Sequence, residues 1–148
     1  MGEITMLEDI PRDQLDPILF NALRAIYKFQ QAKMTAFGLD YEDIYLLQLL
    51  RNHTPSRMGE IADEMGIPIS TATRVVDRLE EKKLLSRKKD PRDKRNILVT
   101  LEQKGKDVVN RVENQTFQIL LKNLSKYNDE DIASFYKTAV HLHEILKV

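Results

Sequence analysis

The chain has 148 residues, 23 Lys plus Arg against 23 Asp plus Glu, and no cysteine, a size at which one hydrophobic core is the rule. Without cysteine there is no disulfide, no thiolate metal site and no thiol-based peroxide sensing. No apolar run approaches the length of a membrane span, and the opening MGEITMLEDIPRD is acidic and lacks the apolar stretch of a signal peptide, so a cytoplasmic location is expected.

Gly2 opens no myristoylation motif, because Met6 stands where Ser or Thr is required. Asp16-Pro17 reads as an N-cap followed by proline at the first helical position. Leu15, Ile18, Leu19, Ala22, Ile26 and Phe29 then recur at helical spacing, and Gly38 ends the helix after Phe37. Asp40 caps the next helix with Asp43 three residues on; Ile44, Leu47 and Leu50 form its buried stripe, and NHTPS breaks it. Met58, Ile61, Ala62 and Met65 share one face of a short helix that Gly66 and Pro68 close. A second short helix follows, Ser70–Lys83, with Ile69, Ala72, Val75, Val76 and Leu79 apolar. Its opposite side carries Ser70, Thr71, Arg74, Asp77, Arg78 and Glu81.

The period then changes from helix to strand. In NILVTL, Ile97, Val99 and Leu101 alternate with Leu98 and Thr100; LLSRK is the expected antiparallel partner, and KDPRDKR joins the two. After Gly105 a long helical pattern runs through Val108, Val109, Val112, Thr116, Ile119 and Leu120 toward Leu124. Asn128 and Asp131 cap a last helix with the stripe Ile132, Phe135, Tyr136, Ala139, Leu142 and Leu146. The expected fold class is mainly α, strictly α+β. The terminal helices carry more apolar surface than a small middle region covers, which points to pairing with a second copy.

The neutral total hides a polarity. From Pro68 to Lys106 there are twelve basic residues against six acidic, leaving eleven against seventeen elsewhere. Such a chain presents a cationic face to a polyanion while staying soluble. Two short helices joined by a Gly-containing turn, the second with hydroxyls and Arg outward, make a helix-turn-helix. Its second helix suits the major groove: Ser70, Thr71, Thr73 and Arg74 lie in the first turns, and Arg78 one turn on. Helix, helix, strand, basic turn, strand is the order of a winged helix-turn-helix.

With MGEIADEMGIPISTATRVVDRLEEKKLLSRKKDPRDKRNILVTLEQKG, the chain resembles the MarR family of transcription regulators, over nearly its whole length. The resemblance implies a winged helix-turn-helix with N- and C-terminal dimerisation helices, acting on a palindromic operator. It assigns residues 1–38 and 106–148 to dimerisation and 39–105 to DNA binding, within one compact domain. It places the family's wing Asp at Asp93 and its wing Arg, which enters the minor groove with the Asp helping to hold it, at Arg95; Arg92 and Lys94 are neighbouring candidates. The reading-helix positions carry over to Ser70, Thr71, Thr73, Arg74 and Arg78. The family has Leu-Thr before the next helix where this chain has Leu101-Glu102, a poorer cap. By the same analogy a small aromatic or phenolic effector releases DNA, with Arg24 and Tyr41 as candidate contacts.

No cofactor is implied. His141 and His143 are two apart on a helix and do not share a face, so with His53 they read as surface or interface residues and not as a metal site. YED and NDED read as helix caps, and no phosphate loop or nucleophile motif appears, so an enzyme is not expected. The principal expectation is a dimeric, sequence-specific DNA-binding regulator acting as a repressor. The alternative is a winged-helix protein-interaction module without direct DNA binding.

Overall fold

The computed structural model describes residues 10–148; the readings of the acidic start and of Gly2 and Met6 lie outside the described residues. The elements are α1 (Arg12–Phe37), α2 (Tyr41–Asn52), β1 (Ser56–Arg57), α3 (Met58–Met65), α4 (Ile69–Glu81), β2 (Leu85–Lys89), β3 (Ile97–Leu101), α5 (Gln103–Leu124), α6 (Asp129–Val140) and α7 (Leu142–Ile145). The described residues form two compact units, residues 10–109 and residues 110–148. No helix among the described residues is long and apolar enough to cross a membrane.

In the first unit, α1 starts a turn earlier than Asp16-Pro17 predicts. It begins after Pro11, and Pro17 lies inside it. A proline so near the start removes one helical bond in the turns that hold the helix least. There Arg12 and Asp16 pair at 3.6 Å across one turn. Gly38 ends the helix at φ 60°, where a Cβ would be strained. One cation is buried on α1: the Lys33 amine lies 5.1 Å from the centre of the Phe29 ring. Burial lowers the Lys33 pKa from its ordinary value.

The core of this unit sits among α2, α3, α4 and the sheet. Ile44, Leu46, Leu47 and Leu50 of α2 meet Ile61 of α3, Val75, Val76 and Leu79 of α4, and Leu85, Val99 and Leu101 of the hairpin, all buried. The hairpin register pairs Leu85 with Leu101 and Lys89 with Ile97. The sheet has a third strand that the sequence does not announce. The two residues of β1 pair antiparallel with β3, Ser56 opposite Val99, giving the order β1-β3-β2. Ile69 departs from its expected place: it opens α4 with 58% of its surface exposed.

Gly105 fixes where α5 joins the wing. A Cβ there would stand 2.1 Å from the Leu84 carbonyl oxygen and 2.7 Å from Leu101 Cδ1. The same carbonyl accepts the Glu102 amide at 3.0 Å, so the tighter of the two contacts is with backbone held in place. Glu102 is itself engaged at this junction. Its carboxylate accepts the Ser86 hydroxyl at 2.6 Å, and its carbonyl accepts the Lys106 amide at 2.9 Å. Gly105→Ala is expected to cost about 1–3 kcal/mol by overpacking. Gly59→Ala, where a Cβ meets nothing within 4 Å, serves as the neutral control. Urea denaturation of the two variants checks this; equal midpoints would refute the steric account.

In the second unit, Asn128 caps α6 by accepting the Asp131 amide at 2.8 Å, as the sequence predicts. The last helical stripe is not continuous. It is interrupted at His141, and the short α7 follows.

Candidate nucleic-acid interface

The reading element is built by its turn. Gly66, at φ 63°, donates to the Ala62 and Asp63 carbonyls and closes α3. Pro68 precedes α4, and its carbonyl accepts the Thr71 and Ala72 amides at 2.9 and 3.0 Å. No side chain caps α4, so its first amides remain available to an anion. Ala72, Val75, Val76 and Leu79 bury one side of α4. Ser70 and Arg74 lie exposed on the other, and Thr71 and Thr73 are half-buried. The Thr73 hydroxyl donates back to the Ile69 carbonyl at 2.8 Å, which leaves its oxygen as an acceptor. Arg74 forms no ion pair among the described residues.

Arg78 is engaged elsewhere. Its guanidinium donates to Asp43 Oδ1 from Nε at 2.9 Å and from its terminal nitrogen at 2.6 Å. Asp40 stands 3.5 Å away. The Asp43 side chain is 1% exposed and that of Arg78 38%. Asp43 also accepts the Asp40 amide at 3.1 Å, so one carboxylate caps α2 and anchors α4. The hydrogen bond that Arg78 donates to Asp43 is the main cause that raises the Arg78 pKa above its already high value. The sequence shows Asp43 only as a cap residue, since its partner lies 35 positions away.

The stem of the wing is tied to α4 in the same manner. Arg87 of β2 reaches Glu80 Oε2 from its terminal nitrogen at 2.6 Å and Asp77 Oδ1 at 2.6 Å. The Glu80 hydrogen bond leads the causes that raise its pKa. The loop beyond is shaped by two aspartates, and both act on backbone. Buried Asp90 accepts the Arg92 amide at 2.9 Å, and its own amide donates to the Asn96 carbonyl at 3.0 Å. Asp93 accepts the Arg95 amide at 3.1 Å, and the Asn96 amide bonds the Asp93 carbonyl at 2.9 Å.

These are side-chain-closed turns. The Asp93 carboxylate thus holds the Arg95 main chain, and no ion pair joins their side chains. Arg92, Asp93, Lys94 and Arg95 are all exposed, and the three cations have no ion-pair partner among the described residues. Ser70, Thr71, Arg74 and the wing cations therefore lie on one unit with their polar groups unspent, and Arg78 does not join them.

Arg24 and Tyr41 are not brought to one pocket. Tyr41 stacks on Tyr45 with ring centres 6.2 Å apart. It lines a cavity of about 360 Å³ with Leu23, Ile26, Tyr27, Gln30 and Met34; Arg24, exposed on α1, is not among its lining residues. His141 and His143 each lie near Glu144, at 3.5 and 3.7 Å. Among the described residues no group of three His, Asp or Glu is placed to hold a metal ion.

A helix-turn-helix with an uncapped reading helix, followed by a hairpin whose tip carries three unpaired cations, defines a winged-helix DNA-binding module. The family model for MarR matches residues 39–97. The chain is 30% identical over 101 residues to the uncharacterized HTH-type transcriptional regulator YsmB of Bacillus subtilis, covering 68% of this chain and 69% of that one. It is 30% identical over 97 residues to the HTH-type transcriptional repressor MdtR of the same organism, covering 63% of each. A MarR family protein from Bacillus stearothermophilus has the same fold, with TM-score 0.80 at 24% identity over 100% of this chain and 99% of that one. The chain belongs to the MarR family. It is a DNA-binding transcription regulator, and the reading as a protein-interaction module is not supported.

Proposed function

We propose that the protein is a homodimeric repressor of the cytoplasm that binds a palindromic operator, with residues 39–105 on DNA and residues 1–38 and 106–148 supplying the dimerisation helices. The observation that carries the reading is the set of unspent groups: Ser70, Thr71 and Arg74 on α4, and Arg92, Lys94 and Arg95 on the wing. Arg74 suits guanine O6 and N7, and the exposed Ile69 suits a thymine methyl, a contact its apolar character had concealed in the sequence. The wing cations suit a narrow minor groove and its phosphates.

Unpartnered apolar surface supports the dimer. Within the first unit Ile18, Phe20 and Leu23 of α1 are more than half exposed, and within the second Phe117, Phe135 and Ile145 are too. A monomer rarely leaves so much apolar surface open. Two copies would set their reading helices about 34 Å apart, one turn of duplex. The repressor sign rests on likeness to MdtR. A small aromatic effector at the Tyr41 cavity would give the switch; the apolar lining supports this role for Tyr41 more than for Arg24.

Light scattering with an electrophoretic shift on a palindrome from the protein's own upstream region tests the reading. A mass twice that of the chain and a salt-sensitive shift, relieved by salicylate, are expected. A monomer, or salt-insensitive binding, would refute the dimer or the DNA reading respectively, and a shift indifferent to aromatic acids would remove the effector.

A further inference from the structure

The cationic run 87–95 is not uniform. Lys88, Lys89, Arg92, Lys94 and Arg95 have no ion-pair partner among the described residues, whereas the first member, Arg87, is held at several points. Its Nε and one terminal nitrogen lie 2.9 and 2.6 Å from Glu80 Oε2, and the other terminal nitrogen 2.6 Å from Asp77 Oδ1. Glu80 uses its second oxygen as well: Oε1 accepts the Arg87 amide at 3.1 Å. One carboxylate at the end of α4 therefore grips both the side chain and the main chain of β2.

For affinity alone this is a poor arrangement. Two carboxylates lie beside a surface meant for phosphates, and they consume a cation. For geometry it is a good one. Arg87 pairs with Val99 across the sheet, so fixing it fixes the stem of the hairpin that ends in Arg92, Lys94 and Arg95. Glu80 Oε2 and Asp77 Oδ1 hold the planar guanidinium from two sides while Glu80 Oε1 holds the amide, which restrains angle as well as distance.

We propose that Glu80, assisted by Asp77, is a specificity-positioning residue: by clasping Arg87 it sets the angle between reading helix and wing, and it withholds that arginine from DNA phosphate. The proposal rests on the DNA reading made above for the same site. It divides the basic run into a structural member and contacting members, a division that charge counting does not give.

The test uses the full-length protein and two probes. One is the highest-affinity duplex that the wild type selects from a random-sequence library; the other is poly(dI-dC). For Glu80→Gln combined with Asp77→Asn, which releases both carboxylate contacts, binding to poly(dI-dC) should tighten and its salt slope steepen by about 0.9, one freed cation. The ratio of selected to non-selected affinity should nevertheless fall about tenfold, the scale of one lost bidentate base contact. For Arg87→Gln the ratio should fall likewise with the poly(dI-dC) slope unchanged. Arg87→Lys, which keeps a cation on Glu80 and preserves folding, should lose less of the ratio than Arg87→Gln.

An unchanged ratio in the Glu80→Gln, Asp77→Asn double variant would overturn the proposal, leaving the two carboxylates as repelling charges. A slope flatter by about 0.9 in Arg87→Gln would also overturn it, by making Arg87 a phosphate contact. Wild-type protein that selects no duplex would remove the underlying reading and the proposal with it.

Discussion

Replacing Arg74 and Arg95 together by alanine is expected to weaken binding to the selected duplex by about 10²–10⁴-fold, with each good base contact worth about 1–3 kcal/mol. The melting temperature of the free protein should not move. Both expectations follow from one property: neither arginine forms an ion pair with any described residue, and both are exposed. Their removal strands no buried charge and breaks no link between elements. The Arg95 position is fixed through its amide by Asp93, so the wing keeps its shape when the side chain is cut back. Fluorescence anisotropy across salt concentrations, alongside a thermal melt, provides the check. Undiminished affinity of the double variant would sink the assignment of these residues to DNA.

Arg78→Ala should behave in the opposite manner. It leaves the Asp43 carboxylate, 1% exposed, without its cation in a packed core. Breaking such a pair from one side costs about 3–5 kcal/mol. The lower end is expected here, because Asp43 retains the Asp40 amide and the arginine is partly solvated. At about 2–4 °C per kcal/mol the melting temperature should fall by roughly 6–12 °C. Asp43→Asn combined with Arg78→Met removes both charges, keeps an acceptor for the Asp40 amide and should recover part of that loss, since no buried charge is left without its partner. A single Arg78→Ala variant that melts with the wild type would show that the link carries no stability. Any fall in DNA affinity would then return Arg78 to the direct contacts that the sequence first suggested.

The contrast between these arginines explains what the sequence could and could not disclose. Helix ends were legible where one residue decides them: Gly38 and Gly66 at positive φ, and Asn128 on the Asp131 amide. The hairpin was legible because alternation over five residues separates an inner face from an outer one. Arg74 and Arg78 look alike in sequence, four apart on one helix. Only the partner on α2 separates them, and local pattern carries no information about a residue 35 positions distant. Lys33 was missed for a related reason: nothing in its neighbours marks a lysine that will be buried.

The two-residue β1 has no period to detect, and it exists because β3 offers it an edge. At Asp16-Pro17 local punctuation pointed to a helix start, and the chain simply began its helix earlier. The hairpin that carries the wing tip was legible from its flanking strands. The manner of its shaping, with Asp90 and Asp93 bonding the amides of Arg92 and Arg95 and not their guanidinium groups, is a matter of atoms that residue types do not settle.

The strand order β1-β3-β2 has one more consequence. A small open sheet has two edges, and each is an invitation to pair with another molecule's backbone. Here one edge is a strand of only two residues, too short to template anything. The other is β2, whose outer half reads Arg87, Lys88, Lys89. Lys88 and Lys89, which have no ion-pair partner among the described residues, repel a second β2. When no DNA is at hand, the basic stem protects the protein from its own copies and keeps the sheet from growing into an aggregate.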